Sequence, residues 1–162
     1  MAQCWGDGAE GLPDPPRGAF QWLSAGLYHV CGLRPDGRIE CWGKPADRPM
    51  GDGYVDLDAG SFLTCAVKAS GVGYCFGQEQ EALAAPSDAT FTHISLGASH
   101  ACGLLPDGEL RCWGEDRRGQ CDAPAGPWER VSAGIYHTCG VRPDGTLQCW
   151  GSNGYGQSTP PP

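Results

Sequence analysis

Apolar and polar positions along this chain alternate with a period of two in short runs, each broken by a tight turn. In the run HTCGVRPDGTLQCWG, residues 137–151, the alternation sets Cys139, Val141, Leu147 and Cys149 on one face of a strand pair and Thr138, Gly140 and Trp150 on the other. Both faces carry apolar or small residues, so the sheet needs cover on both sides. Arg142, Pro143, Asp144 and Gly145 have the residue types of a type I turn followed by a left-handed glycine. That is the three-residue hairpin loop closed by a bulge. Pairing Arg142 with Thr146 makes Val141 face Leu147, Gly140 face Gln148 and Cys139 face Cys149. The cysteines fall on a non-hydrogen-bonded pair, where Cα atoms lie about 4.5 Å apart, near enough for a disulfide.

The same frame recurs as HVCGLRPDGRIECWG at 29–43, LTCAVKASGVGYCFG at 63–77 and HACGLLPDGELRCWG at 100–114. The expected bridges are therefore Cys31–Cys41, Cys65–Cys75, Cys102–Cys112 and Cys139–Cys149. Each would close a loop of about ten residues and contribute roughly 2–3 kcal/mol as an upper figure, because a tight hairpin already restricts the unfolded chain. Buried thiols and half-sites for zinc are the alternatives. Zinc sites usually show short C-x2–4-C knuckles, which these opposed pairs lack. Cys4 and Cys121 stand outside the hairpin scheme. A bond between them would signal a small closed ring, and the expectation is that none forms.

A small-residue strand precedes each hairpin, ending at Gly26, Gly60, Gly97 and Gly134. Intervals of 34, 37 and 37 residues between these glycines mark a tandem repeat. The expected divisions are a partial N-terminal repeat over 1–22 and full repeats over 23–56, 57–93, 94–130 and 131–162. Three or four short strands per repeat are too few to bury a core, so neighbours must stack. The fold class is all-β, with β-propeller-like blades of short antiparallel strands. Trp5, Trp42, Phe76, Trp113 and Trp150 would wedge between blades, with the glycine opposite leaving room for a ring. The Ser-Ala-Gly strand would run nearest the axis, where bulk does not fit.

Composition supports this architecture. Among 162 residues there are 26 Gly and 14 Pro, suited to many short strands and tight turns. No apolar run reaches the ~20 residues of a membrane helix, and MAQCWG begins inside the repeat pattern and not with a signal peptide. Any export signal would have been lost or lie outside this segment. Ten cysteines, eight of them matched by hairpin geometry, imply an oxidising compartment, whether secreted, periplasmic or cell-surface. A formal net charge of −8, with 11 scattered basic residues against 19 acids, argues against a nucleic-acid surface.

The run VSAGIYHTCGVRPDGTLQCWGSNGYGQSTPP resembles the repeats of the regulator of chromosome condensation family, through its AG-x-x-H, DG-x-(hydrophobic)-x-x-WG and N-x-x-GQ landmarks. The resemblance is closest to the short-blade bacterial branch that includes a secreted β-lactamase-inhibitory propeller. Two departures matter: a cysteine pair in every hairpin, and four full repeats where the family's rings typically have seven blades. The second-cysteine strand occurs five times, beginning with Cys4, but the first-cysteine strand only four. The terminal strand that usually seals such a ring is thus redundant, because the last blade already holds Cys149-Trp150-Gly151. An incomplete or unusually small propeller is expected, with an open arc favoured over closure, and self-association is the partner an incomplete ring leaves open.

What the resemblance implies for function is a protein-binding face. Its inhibitory branch meets partner proteins through aromatics in the loop after the AG pair, which map here to Leu27 and Tyr28, Ser61 and Phe62, Ala98 and Ser99, and Ile135 and Tyr136. Rigid aromatics bury much area for little entropy. The loops after each C-W/F-G vary in sequence and are expected to ring the same end, with Arg118 and Tyr155 as contact residues. The site prediction is therefore Tyr28, Phe62, Ser99, Tyr136, Arg118 and Tyr155, against the alternative that these aromatics merely pack on neighbouring loops. Guanine-nucleotide exchange and chromatin binding belong to the nuclear, disulfide-free branch and are not carried over. A lectin-like glycan site built from Tyr155, Asn153 and Gln157 is the second reading, weakened because the constellation fails to recur in every repeat.

Cofactors, metals and catalysis are not expected. His29, His100 and His137 recur after the axial strand, but Leu63 takes that place in the second repeat, so structural histidines bonding to backbone are the better reading. Asp52, Asp56 and Asp58 lack the closing glutamate of a calcium loop. No nucleophile and base form a local catalytic signature. A propeller enzyme such as a lyase is the least favoured reading.

Overall fold

A computed structural model describes residues 2–4, 15–44, 51–78 and 83–160. The expected N-terminal wedge Trp5, the loop at 6–11, and most of the loops at 43–48 and 77–81 lie outside the described residues. All regular structure among the described residues is β. It comprises β1 (Trp22–Ala25), β2 (His29–Leu33), β3 (Ile39–Gly43), β4 (Tyr54–Ala59), β5 (Leu63–Lys68), β6 (Gly73–Gly77), β7 (His93–Leu96), β8 (His100–Leu104), β9 (Leu110–Gly114), β10 (Arg130–Ala133), β11 (His137–Val141) and β12 (Leu147–Gly151). They form four antiparallel three-stranded sheets, blades 1 to 4, each an uninterrupted meander. The opening strands start slightly ahead of the divisions drawn from glycine spacing, at Trp22, Tyr54, His93 and Arg130.

Hairpin register is as the alternation requires. Cys139 faces Cys149, Gly140 faces Gln148 and Val141 faces Leu147. The turn closes with Arg142 N–H donating to the Thr146 carbonyl at 2.9 Å and Gly145 N–H donating to the Arg142 carbonyl at 2.8 Å. Gly37, Gly71, Gly108 and Gly145 take φ of 79°, 85°, 86° and 86°, the left-handed conformation for which the turn needs glycine. The disulfides are Cys31–Cys41, Cys65–Cys75, Cys102–Cys112 and Cys139–Cys149, with Cα atoms 4.0–4.1 Å apart. Cys4 and Cys121 are unbonded.

The core lies between blades, not within them. The cysteine face of each blade packs on the glycine face of the next: Cys31, Leu33 and Ile39 on Tyr54, Leu57 and Ala66, then Leu63, Cys65 and Val67 on Phe91, Ile94 and Ala101, then Leu104 on Trp128 and Trp150. Which ring the blade glycine admits differs from the expectation. A methyl on Gly32, Gly103 or Gly140 would strike Phe20, Phe91 or Trp128, a residue three positions before the strand's central apolar side chain, and not the tryptophan after the second cysteine. The two rings pack tilted against each other instead, with centroids 5.8 Å apart for Phe20–Trp42, 5.5 Å for Phe91–Trp113 and 5.3 Å for Trp128–Trp150. The first turn residue caps the added ring: the Arg34 and Arg142 guanidinium groups lie 4.1 Å from the centroids of Phe20 and Trp128.

Strand β1 packs on β4, β4 on β7 and β7 on β10. Among the described residues β10 makes no comparable contact with β1, so the four blades form an open arc.

Candidate functional site

The axial end is built by one local bond repeated four times. Each axial glycine N–H donates at 2.8 Å to the carbonyl of the residue directly after the loop pair, as Gly26 to His29, Gly60 to Leu63, Gly97 to His100 and Gly134 to His137. A methyl on Gly26, Gly60 or Gly97 would collide with the carbonyl of the next axial glycine in the arc, so small residues are required where the strands converge. The residue after each C-W/F-G then donates to the carbonyl of the loop's second residue: Lys44 to Tyr28, Gln78 to Phe62, Glu115 to Ser99 and Ser152 to Tyr136. These bonds bring both sets of loops to one end of the arc.

A shallow, largely apolar depression of about 330 Å³ opens there, lined from all four blades, with Gly26, Gly60, Gly97 and Gly134 at its floor. In the loops that line it Tyr28 and Phe62 stand exposed, with ring centroids 5.5 Å apart. Tyr136 lies under the Arg118 guanidinium, 4.6 Å from the ring, and Arg118 also donates to Ser152 Oγ at 3.5 Å. Ser99 is half-buried, while Tyr155 is 99% exposed and stands apart. Four of the six expected residues thus meet in two pairs, the rings of Tyr28 and Phe62 and the Arg118 guanidinium over Tyr136. Leu27 and Ile135, mapped to these loops but left out of the site prediction, are 56% and 62% exposed and line the depression. Their signal was their place directly before each tyrosine.

The N-x-x-GQ residues are committed to holding their own loops. Asn153 Oδ1 accepts from Ser158 N–H at 3.0 Å, and Gln157 Oε1 accepts from Tyr155 N–H at 2.8 Å. In the preceding repeat Asp116 accepts from Cys121 N–H and Gln120 from Arg118 N–H. Gln120 is buried, and its carbonyl receives the Thr138 hydroxyl at 2.9 Å and the Trp150 indole N–H at 3.0 Å, tying the loop into the next blade junction. Burial, then the charges of Asp116 and Asp122, push the Cys121 thiol up to about 11.

The repeated histidines serve junctions. Correcting the expectation of a backbone partner, His29 Nε2 lies 2.8 Å from Thr64 Oγ1 and His100 Nε2 lies 2.8 Å from Thr138 Oγ1, each on the following blade. Thr138 donates to Gln120, so it accepts from His100, which fixes Nε2 as the protonated ring nitrogen and leaves the buried Nδ1 without a partner. Burial holds both histidines below the usual imidazole pKa. Among the described residues no group of three or more candidate metal ligands occurs, and there is no helix long and apolar enough to cross a membrane.

Residues 91–120 and 128–157 match the family model of the regulator of chromosome condensation (RCC1) repeat. Among solved structures, the CRINKLY WD40 ectodomain of the Arabidopsis thaliana receptor kinase ACR4 is 31% identical with a TM-score of 0.79, over 99% of this chain and 60% of that one. The ectodomain of the Physcomitrella patens receptor kinase CR4 is 28% identical with a TM-score of 0.79, over 92% and 46%. Prp20p of Saccharomyces cerevisiae, described with its binding to Gsp1p and histones, is 18% identical with a TM-score of 0.67, over 84% and 45%, and shares the fold. The chain therefore spans less than two thirds of each of these proteins.

Proposed function

We propose that this chain, an arc of tandem repeats resembling the RCC1 repeat, is a non-catalytic protein-binding module of a secreted, periplasmic or cell-surface protein. Its partner rests on the axial end, against Tyr28, Phe62, Ser99, Tyr136, Arg118 and Tyr155, with Leu27 and Ile135 lining the depression. The observation that carries this reading is an apolar depression lined from all four blades, Leu27 and Ile135 exposed on it and Tyr28, Phe62 and Tyr136 exposed beside them in the same loops, which backbone bonds fix to a disulfide-bonded scaffold. Preorganised aromatics of this kind make binding hot spots. The likeness to two receptor ectodomains supports an extracellular setting, as do the four disulfides.

The test is capture from the native secreted fraction with the wild-type chain and with Tyr28→Ala, Phe62→Ala and Tyr136→Ala. Each truncation should weaken binding of a captured protein by about 1–3 kcal/mol while changing stability by only about 0.5 kcal/mol. Equal binding by all variants, or unfolding by the three, would reject the face. A glycan array run in parallel should stay blank, because Asn153 and Gln157 spend their hydrogen bonds on their own loop.

A further inference from the structure

A second proton on His29 or His100 has no acceptor. In each ring Nε2 is spent on a threonine of the following blade at 2.8 Å, and Nδ1 is buried without a partner. The edge that carries Nδ1 is pressed on the axial glycine. A methyl on Gly26 would come within 2.9 Å of His29 Nδ1, and one on Gly97 within 2.5 Å of His100 Nδ1. Protonation therefore buries a charge beside an unsatisfied donor, which costs more than the threonine bond returns. Leu27–Tyr28 and Ala98–Ser99 lie between that glycine and that histidine, so these loops move with the ring.

The surrounding charges set the direction of the response. Among the described residues burial alone lowers His29. His100 is lowered by burial and then by His137 on blade 4, while Asp116 and Glu115, in the loop after β9, favour the proton. That loop also carries Arg118 over Tyr136. Junction 2–3 answers acid in the opposite sense. Leu63 and Ala101 occupy the corresponding places and take no proton. The histidine there is His93, at the end of β7 away from the axial glycine, with Nδ1 2.9 Å from Asp56 Oδ2 on blade 2. The bond to Asp56 raises His93 against burial, and the charges of Asp56 and Asp58 and the backbone of Val131 on blade 4 act in the same sense. Acid completes this ion pair.

We propose that the arc carries an acid-operated latch: in mild acid, protonation of His29 and His100 releases the axial loops at junctions 1–2 and 3–4, while blades 2 and 3 stay joined through His93 and Asp56. Acid then remodels the axial face. Its effect on binding rests on that face holding a partner, whereas the latch itself does not.

Amide hydrogen exchange of the full chain, read residue by residue by NMR at pH 7 and pH 5 and corrected for the intrinsic rate, tests the latch. It needs no partner, so its failure is separate from failure of the binding face. At pH 5 the Gly26, Lys44, Gly97 and Glu115 amides, which donate within the two latched loops, should lose protection by about tenfold, the equivalent of one pKa unit. The Gly60 and Gln78 amides, bonded in the same way beside Leu63, should keep theirs. His100→Leu with Thr138→Ala reproduces the Leu63–Ala101 pair, and should hold Gly97 and Glu115 at pH 5 while Gly26 and Lys44 still open. His100→Gln keeps an N–H donor and takes no second proton, so it gives the same reading where the double variant fails to fold. Wild-type protection equal at the two pH values overturns the proposal, as does an equal loss at Gly60 and Gln78. So does a loss at Gly97 and Glu115 that persists in the folded variants.

Discussion

Junctions 1–2 and 3–4 are closed by a histidine and a threonine; junction 2–3, with the same strand geometry, is closed by carboxylates. There Leu63 and Ala101 stand where the other junctions have His and Thr, and both are buried. The polar work moves to β4. Asp58 receives the Ser24 hydroxyl at 2.7 Å, the Ser95 hydroxyl at 3.1 Å and the Leu96 N–H, so one side chain ties blades 1, 2 and 3 together. Asp56 receives His93 Nδ1 at 2.9 Å and Ile94 N–H at 3.0 Å. The difference teaches that the repeat demands a filled shape and satisfied donors at each junction, and that the side chains meeting the demand are exchangeable as sets.

The tilted ring pairs are common to both kinds of junction, and removing one ring should produce the largest loss. Trp150→Ala at junction 3–4 and Trp113→Ala at junction 2–3 should each cost about 3–5 kcal/mol in denaturant unfolding. A far smaller loss for Trp113→Ala would mean that the carboxylates, not the rings, hold junction 2–3.

Asp58→Ala strips the acceptor from two hydroxyls and a backbone N–H, and should cost about 2–3 kcal/mol. Asp58→Ser, which imitates the residue at the same place in the other blades, should regain part of that in the same assay. No recovery would show that the bond to blade 1 is what matters.

His100→Leu should cost about 1–2 kcal/mol, since it leaves the Thr138 hydroxyl without its donor. Adding Thr138→Ala reproduces the Leu63–Ala101 pair and should restore stability, with a coupling of at least about 0.5 kcal/mol. Independent, additive losses would contradict exchange in sets. The pH dependence sharpens the contrast. The folded pKa of His100 is lowered, so its contribution is held above about pH 6.5 and lost as pH falls towards the folded value. His93 is raised by its bond to Asp56, so its contribution is present below about pH 6.5 and lost as pH rises through the folded value. Thermal unfolding between pH 5 and 8 should therefore show the double variant less sensitive to acid, and His93→Gln less sensitive to base.

The features legible in the sequence are those whose partners lie within one hairpin. The ten-residue cysteine spacing and the turn that ends on a left-handed glycine in every hairpin fix the strand register and all four bridges, because a two-residue period admits no slip once the turn is set. Phe20, Phe91 and Trp128 escaped notice because each meets its glycine across a loop, at a place no strand period marks. The threonine partners of His29 and His100 lie 35 and 38 residues away, and only the stacking of blades decides what faces a side chain at that distance. The serines before the axial glycines were seen as merely small, though their hydroxyls bond every junction. At the axial end the loop positions were legible through the resemblance, whereas the pairing of Tyr28 with Phe62 and of Arg118 with Tyr136 depends on the arc's curvature.

Every disulfide lies inside a blade and none crosses between blades. A protease that cuts the exposed turn after Arg38 leaves the two pieces joined through Cys31–Cys41, and a cut in any other hairpin turn is tolerated in the same way. A cut in the links around residue 88 or 124 has no such covalent repair, and the halves are then held by blade packing alone. In a protease-rich medium the chain's weak points are therefore the links between repeats, and its clipped products under denaturing conditions should be whole numbers of blades.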